Sequence, residues 1–378
     1  MKRKTLFSGL IGAAVLSVAL IFIQTADAGF IQGTRVKTEH PSPFHVSISP
    51  DGGTIFVANQ SGHSVTFIDT KSNKVTGEVA VHDQPESSVC SPDGKTLYVC
   101  NAESDSVSVI DVASKKEVKE IKVGDWPCGI ICTKDGSKVY VTCSGNLWNT
   151  VDIIDTGRNE KVGEIEVGYG PRDIDISPDG KTAVVICDTC GSINRTVEFI
   201  DLSTNKVVDR RTLRHSANLR SVAYSPDGQY VAATFMKPKN WLPVCEAENG
   251  EVFTNNVAVI ETRPGGKVAQ LPLDELNNYD GTPYGLGIGP EGKYLYIAVR
   301  GMHRVTILDF EKIRDIVNSN TQEQLDALTD DLDFVNHYLV QRVPTGLGPS
   351  WLAISPDGRF LYTANYFSNN VSVVRTPL

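Results

Sequence analysis

One unit recurs seven times along the 378-residue chain, and a repeat of this kind leaves few folds open. Each copy reads as an apolar-alternating strand, a turn of the Ser-Pro-Asp-Gly type, a second alternating strand, a polar turn, and a third strand that mostly ends in Ile-Asp. The turn glycines are Gly52, Gly94, Gly136, Gly180, Gly228, Gly292 and Gly358, at spacings of 42, 42, 44, 48, 64 and 66. The second strands read IFVAN from Ile55, LYVCN from Leu97, VYVTC from Val139, AVVIC from Ala183, VAATF from Val231, LYIAV from Leu295 and LYTAN from Leu361. β-Branched and aromatic residues suit a pleated surface. Asp-Gly supplies the backbone freedom of a tight hairpin, and the preceding proline ends the first strand by removing a ladder donor. A unit of three or four short strands buries its faces only against a neighbour, so the repeat predicts the blades of a propeller. The expected fold is all-β, a seven-bladed propeller. A solenoid or a sandwich is the other architecture such a repeat could build. The chain stops just after the third strand of its last unit. The missing outer strand is therefore expected from Thr34 to Lys37, ahead of blade one, which would leave the ring without free edges.

The 45 acidic and 36 basic residues give a net charge of −9, which argues against a dedicated nucleic-acid binder. With 40% hydrophobic and 21% charged residues the chain is not of the disordered class. Lys2, Arg3 and Lys4 precede an apolar or small run from Leu6 to Ile23, and Ala26-Asp27-Ala28 fits a small-x-small cleavage site. Residues 1–28 therefore read as an export signal and 29–378 as one propeller domain. Losing three cations and one anion takes the charge from −9 to −11. An uncleaved membrane anchor is the alternative, since spanning needs about 18 apolar residues. No later segment is apolar for that long.

The repeat is broken in two places. From the turn glycine to the valine of the third strand, blades one, two, six and seven show 13 residues, blade three 15 and blade four 17, whereas blade five shows 29. This insertion, residues 236–256, carries Glu246, Glu248, Glu251, Trp241, Phe253 and Cys245. It reads either as a tolerated surface loop or as an arm that enters a partner or a ligand path. The second insertion, residues 310–341, follows Asp309. Phe310 to Asn318 looks helical, Thr321 and Gln324 form a capping box, and Leu325, Leu328, Leu332 and Val335 recur at helical spacing. The stripe is expected to pack on the ring or to bind a partner.

Catalytic motifs are absent. No Cys-x-x-Cys-His occurs, which excludes covalent c-type haem on this chain. No HExxH, GxSxG or P-loop is present, and the seven histidines are scattered. Cys187 invites a local disulfide with Cys190 or a bridge to Cys143, its equivalent in the neighbouring blade. Cys90 and Cys132 take positions filled by isoleucine elsewhere and read as core residues. The residue at the start of each blade should face the axis: Phe44, Glu86, Cys128, Arg172, Arg220, Tyr284 and Ser350. This set lacks the carboxylates a metal-dependent lactonase would need. Arg172 and Arg220 could hold an anion or belong to a solvated rim. His45 is the single histidine near the axis that a haem-binding propeller could use.

LYVCN and LYTAN are close variants of the motif that names the YVTN family of bacterial propellers, and the chain resembles that family over nearly its whole length. Within it, the cleavable signal, the seven blades without haem motifs and the acidic blade-five insertion resemble the β-subunit family of hydrazine synthase from anaerobic ammonium-oxidising bacteria. That resemblance implies a non-catalytic subunit in a complex that joins nitric oxide and ammonium into hydrazine. It implies haem-bearing α and γ partners in a dimer of heterotrimers, residence in the anammoxosome lumen, and a tunnel that passes hydroxylamine between two haem sites. It also implies that a loop, mapping here to about Pro243 to Ala258, reaches this tunnel and presents a glutamate, Glu251 first, then Glu248 and Glu246, with Mg²⁺ as the cation such a carboxylate could hold. A periplasmic lactonase, a propeller holding d₁-type haem and a cell-surface binding module are the alternatives.

Overall fold

The computed structural model describes residues 31–376 except 39, 146–148, 189–193, 239–252 and 277. The expected export signal and the glutamates of the blade-five insertion lie outside the described residues. Among those described, twenty-eight strands, β1–β28 in chain order, form seven four-stranded antiparallel sheets. Six sheets use four consecutive strands. The seventh joins β26 (Pro349–Ile354), β27 (Phe360–Asn365) and β28 (Asn370–Arg375) to β1 (Ile31–Lys37), in the order β1-β28-β27-β26. The first and last strands thus close the ring, as the truncated last repeat predicts.

Each Ser-Pro-Asp-Gly turn is closed by its own side chains. In blade one the Gly52 amide donates to the Ser49 carbonyl at 2.8 Å, and the Ser49 hydroxyl donates to Asp51, which also accepts from the Gly53 amide at 2.9 Å. Gly52 has φ +71°, a region that L side chains avoid. The asparagine of the motif works at the other end of the second strand. Asn59, Asn101 and Asn365 are fully buried, and each Nδ2 donates across to the third strand, to Thr66 at 2.8 Å, Ser108 at 2.9 Å and Ser372 at 2.9 Å.

Cys143 and Cys187 take this asparagine slot in blades three and four, and both are free thiols. The bridge between them is not formed, because equivalent positions are not neighbours. Cys143 packs into the core between blades two and three, and Cys187 into the core between blades three and four, with the blade-three sheet standing between. Cys187 is free of a local bridge as well. Cys190 lies outside the described residues. Cys90 is a buried core residue, and Cys132 packs half-buried beside Val139 and Ile154.

The second insertion forms α1 (Phe310–Ser319) and α2 (Gln322–Leu328), followed by a 3₁₀ turn, Leu332–His337. Thr321 and Gln324 make the expected capping box. Phe310, Ile313, Val317, Leu325, Val335 and Tyr338 are fully buried against blades five and six. The stripe therefore packs down on the ring.

Candidate functional site

A conserved geometry at the start of each blade builds the hub. The residue joining one blade to the next inner strand has left-handed backbone in all seven cases: Ser42, Gln84, Trp126, Gly170, Asn218, Thr282 and Gly348, with φ between +54° and +69°. Except in blade five, a proline follows, and the ladder then slips past Phe44, Glu86, Cys128, Arg172, Ser350 and, in blade six, Tyr284 with Gly285. Such a bulge re-aims a side chain out of the ladder. The result is contact between blades that are not neighbours, possible only at the axis. The Phe44 ring of blade one lies 6.0 Å from Tyr284 of blade six, edge to face. Glu86 of blade two feels the charges of Arg172 and Arg220 in blades four and five.

The hub is more than a solvated rim. Tyr284 is buried, and the Arg220 guanidinium stacks over its ring at 4.9 Å. Arg300 lies 5.0 Å from Tyr284, 4.4 Å from Tyr366 and 5.2 Å from Phe367. Burial pushes the Glu86 carboxyl up to about 7, against the pull of Arg172, Arg220 and a 3.3 Å hydrogen bond from Gln60. Cys128 lies 3.3 Å from the Pro171 and Arg172 carbonyls, and burial raises its thiol pKa. Gln60, Arg300 and Tyr366 are absent from the sequence-derived set. Each directly follows the second strand of its blade, so aligning that position across repeats would have found them.

His45 does not stand open to the axis. It is buried, its Nδ1 accepts from the Ser88 amide at 3.3 Å, and its ring lies 4.9 Å from Trp351. Desolvation depresses its pKa to about 3, so it stays neutral. Among the described residues no group of three or more His, Cys, Asp or Glu is arranged to hold a metal ion.

The arm rises from the same face. In antiparallel blades, the second turn and the link to the next blade lie at one end, the Ser-Pro-Asp-Gly turn at the other. The blade-five insertion is a second turn. There β19 (Tyr230–Pro238) and β20 (Phe253–Glu261) run nine residues each, three more than the six of the standard second strand, and stay in register to Pro238 opposite Phe253. The two-stranded ribbon thus runs three residues beyond the standard strand length, with Lys237, Pro238, Thr254 and Asn255 buried and Phe253 44% exposed at its end. Trp241, Glu246, Glu248 and Glu251 belong to the segment outside the described residues.

The base of the ribbon is held on both sides. Lys237, buried, pairs with Asp330 of the helical insertion at 2.8 Å. Asn255 donates its amide to Asp274 at 2.8 Å and accepts from the Thr282 amide at 3.1 Å. Burial pushes Asp274 up to about 6, offset by these bonds. Behind it, fully buried Asp280 binds Arg304 at 2.6 Å and Thr306 at 2.7 Å, with Arg342 at 3.5 Å. Exposed apolar side chains gather on this face too: Tyr169, Phe253, Leu276, Met302, Leu347 and Phe367.

Comparison with known proteins places the chain. The WD domain, G-beta repeat family matches residues 208–235. Hydrazine synthase subunit beta of Kuenenia stuttgartiensis is 64% identical over 376 residues, 99% of this chain and 97% of that protein. The solved structure of Kuenenia stuttgartiensis hydrazine synthase superposes with a TM-score of 0.88 at 65% identity, covering 92% of this chain and 99% of that one.

Proposed function

The chain belongs to the hydrazine synthase subunit β family, and from that premise we propose that its arm modulates the passage of hydroxylamine through the complex that makes hydrazine from nitric oxide and ammonium. The propeller is the scaffold of a multisubunit assembly, with c-type haems on its α and γ partners, in a dimer of heterotrimers. The first 28 residues export it, and the anammoxosome lumen is its compartment. The observation that carries this reading is the ribbon of β19 and β20, which runs three residues beyond the standard strand length on the hub face and is held there by Lys237 and Asn255. Glu251, two positions before Phe253, is the first candidate for the presented carboxylate, followed by Glu248 and Glu246. A carboxylate in a narrow tunnel accepts hydrogen bonds from hydroxylamine or ammonium, and burial would raise its pKa unless a cation compensates. Carboxylate oxygen also suits a hard cation such as Mg²⁺.

The test replaces residues 239–252 by a short Gly-Ser linker in the assembled complex. The complex should still form, hydrazine output should fall, and hydroxylamine should appear in solution. Glu251→Gln should reproduce the leak with the arm intact. Unchanged hydrazine output and no released hydroxylamine in the linker variant would overturn the proposal.

A further inference from the structure

The hub holds more cationic donors than acceptors. The other half-buried or buried arginines among the described residues are committed: Arg195 to Asp188, Arg211 to Asp209, Arg304 to Asp280, Arg314 to Asp227 and Arg342 to Glu275. Arg172, Arg220 and Arg300 differ. None makes an ion pair or donates a side-chain hydrogen bond to any described residue, and the Nε atoms of Arg172 and Arg220 are buried without an acceptor. A guanidinium carries five N–H donors in a plane, and leaving them buried and unmatched is costly.

We propose that Arg172, Arg220 and Arg300 form a carboxylate-binding site at the hub, on the face that carries the arm. The stacking geometry supports it. Tyr284 lies under both Arg220 and Arg300, and Tyr366 and Phe367 flank Arg300 further. Rings against the guanidinium faces leave its N–H edges free, and those edges match a carboxylate in bidentate fashion. No internal group fills this role. Glu86 lies within the field of Arg172 and Arg220 but makes no ion pair with either. Asp188, which also acts on Arg172, is held by Arg195.

Glu86 is instead an internal competitor. The groups around it are Gln60 from the second turn of blade one, Cys100 and Cys128, the neutral His45 on the adjoining inner strand, and Arg172 and Arg220 across the axis. Its pKa near 7 means that below this pH it is neutral and the three arginines are uncompensated, whereas above it the carboxylate offsets their charge. Ligand affinity should therefore rise as pH falls through about 7.

The ligand has two sources: an acidic side chain of a subunit docked on the arm face, or a free organic acid. Only this choice rests on the assembly proposed above; binding itself is tested on the full chain alone. Succinate is titrated calorimetrically into the purified chain at pH 6 and pH 8, with chloride at matched ionic strength as control. Saturable binding is expected, tighter at pH 6. Arg220→Met and Arg300→Met should each weaken it by about ten- to a hundred-fold, the scale of one charge-assisted contact. Glu86→Gln should abolish the pH dependence and bind at pH 8 as the wild type does at pH 6. Absence of saturable binding at pH 6, or equal binding by an Arg220→Met/Arg300→Met chain with a wild-type melt, overturns the proposal. If the double variant does not fold, a pH dependence unchanged in Glu86→Gln overturns it instead. In the assembled complex, loss of the succinate site identifies a partner carboxylate as the occupant, and its retention identifies a free acid.

Discussion

Blade two and blade five are the same four-stranded unit, yet they are held together by different means. Blade two has six-residue first and second strands, a short second turn and an Asn101 ladder of neutral hydrogen bonds. In blade five the inner strand β18 shrinks to Val222–Tyr224, and β19 and β20 grow to nine residues. What the short strand lacks is supplied by its neighbour. Asp173 of blade four accepts from the Ser221 hydroxyl and the Val222 amide at 2.9 Å each, and Asp175 accepts from the Tyr224 amide at 2.8 Å. On its other side the cluster of Asp274, Asp280, Arg304 and Arg342 joins the ribbon base to blade six. At the second turn of blade two neutral bonds suffice; at the longer second turn of blade five buried carboxylates of blades four and six hold the strands on either side.

The largest effect expected from this contrast is at Asp280. Removing it by Asp280→Ala leaves Arg304 without its carboxylate in a buried setting and weakens the hold on Arg342. Breaking one side of a buried pair costs about 3–5 kcal/mol. Asp93→Ala, in the exposed turn of blade two, removes bonds from Ser91 and the Lys95 amide in contact with solvent and should cost far less. Chemical denaturation of the two variants measures the difference. Equal losses would show that the blade-five junction is no more dependent on charge than a regular turn.

The second effect is a pH slope whose sign differs between the buried carboxylates beside blade five and the buried histidine of blade one. Burial pushes Asp173 up to about 7 and Asp175 up to about 6, above their unfolded values. The folded state thus keeps protons that the unfolded chain releases, and stability falls as pH rises from about 4 to 7. His45 in blade one is depressed to about 3, so its contribution is full above its unfolded pKa near 6.5 and is lost as pH falls toward 3. Each group contributes a slope of at most about 1.4 kcal/mol per pH unit. Glu86 and Asp274, also raised, share the sign of Asp173, so the chain should melt higher at pH 5.5 than at pH 7.5. Asp173→Asn should flatten the decline over that interval. Melting curves that rise steadily to pH 7.5 would assign these carboxylates ionised, ordinary states.

The regular region was legible in the sequence, and the irregular one only in outline. The turn glycines and the apolar strands give the blade count, and the unfinished last repeat points to β1. The proline that opens six of the seven inner strands marks the hub residue, and in those six the ladder slips just after it. Arg300 and Tyr366 escaped because they sit in second turns, which vary most and meet Tyr284 only after the ring closes. The Cys143–Cys187 bridge was inferred from equivalent register, but repeats stack face to face, so equal positions are separated by a whole sheet. The acidic staples were equally hidden: Asp173 and Asp175 read as an ordinary polar alternation, and nothing in blade four announces that the next inner strand is three residues long.

The smallest effect sharpens the comparison by asking whether the irregularity belongs to the whole of blade five or to one of its faces. The Ser-Pro-Asp-Gly turns lie on the face opposite the arm. Gly94 in blade two and Gly228 in blade five have φ of +74° and +71°, and each amide closes the same turn, at 2.9 and 2.8 Å. A Cβ on Gly94 would come no closer than 3.9 Å to Pro50, and one on Gly228 would meet Pro178 at 3.2 Å, so backbone conformation dominates both substitutions. Gly94→Ala and Gly228→Ala should each cost about 1 kcal/mol, the second slightly more. Near-equal losses in thermal unfolding would confine the departure from the repeat to the hub and arm face. A Gly228→Ala loss several times larger would mean that the strain of carrying the arm is transmitted through β19 to the far side of the ring.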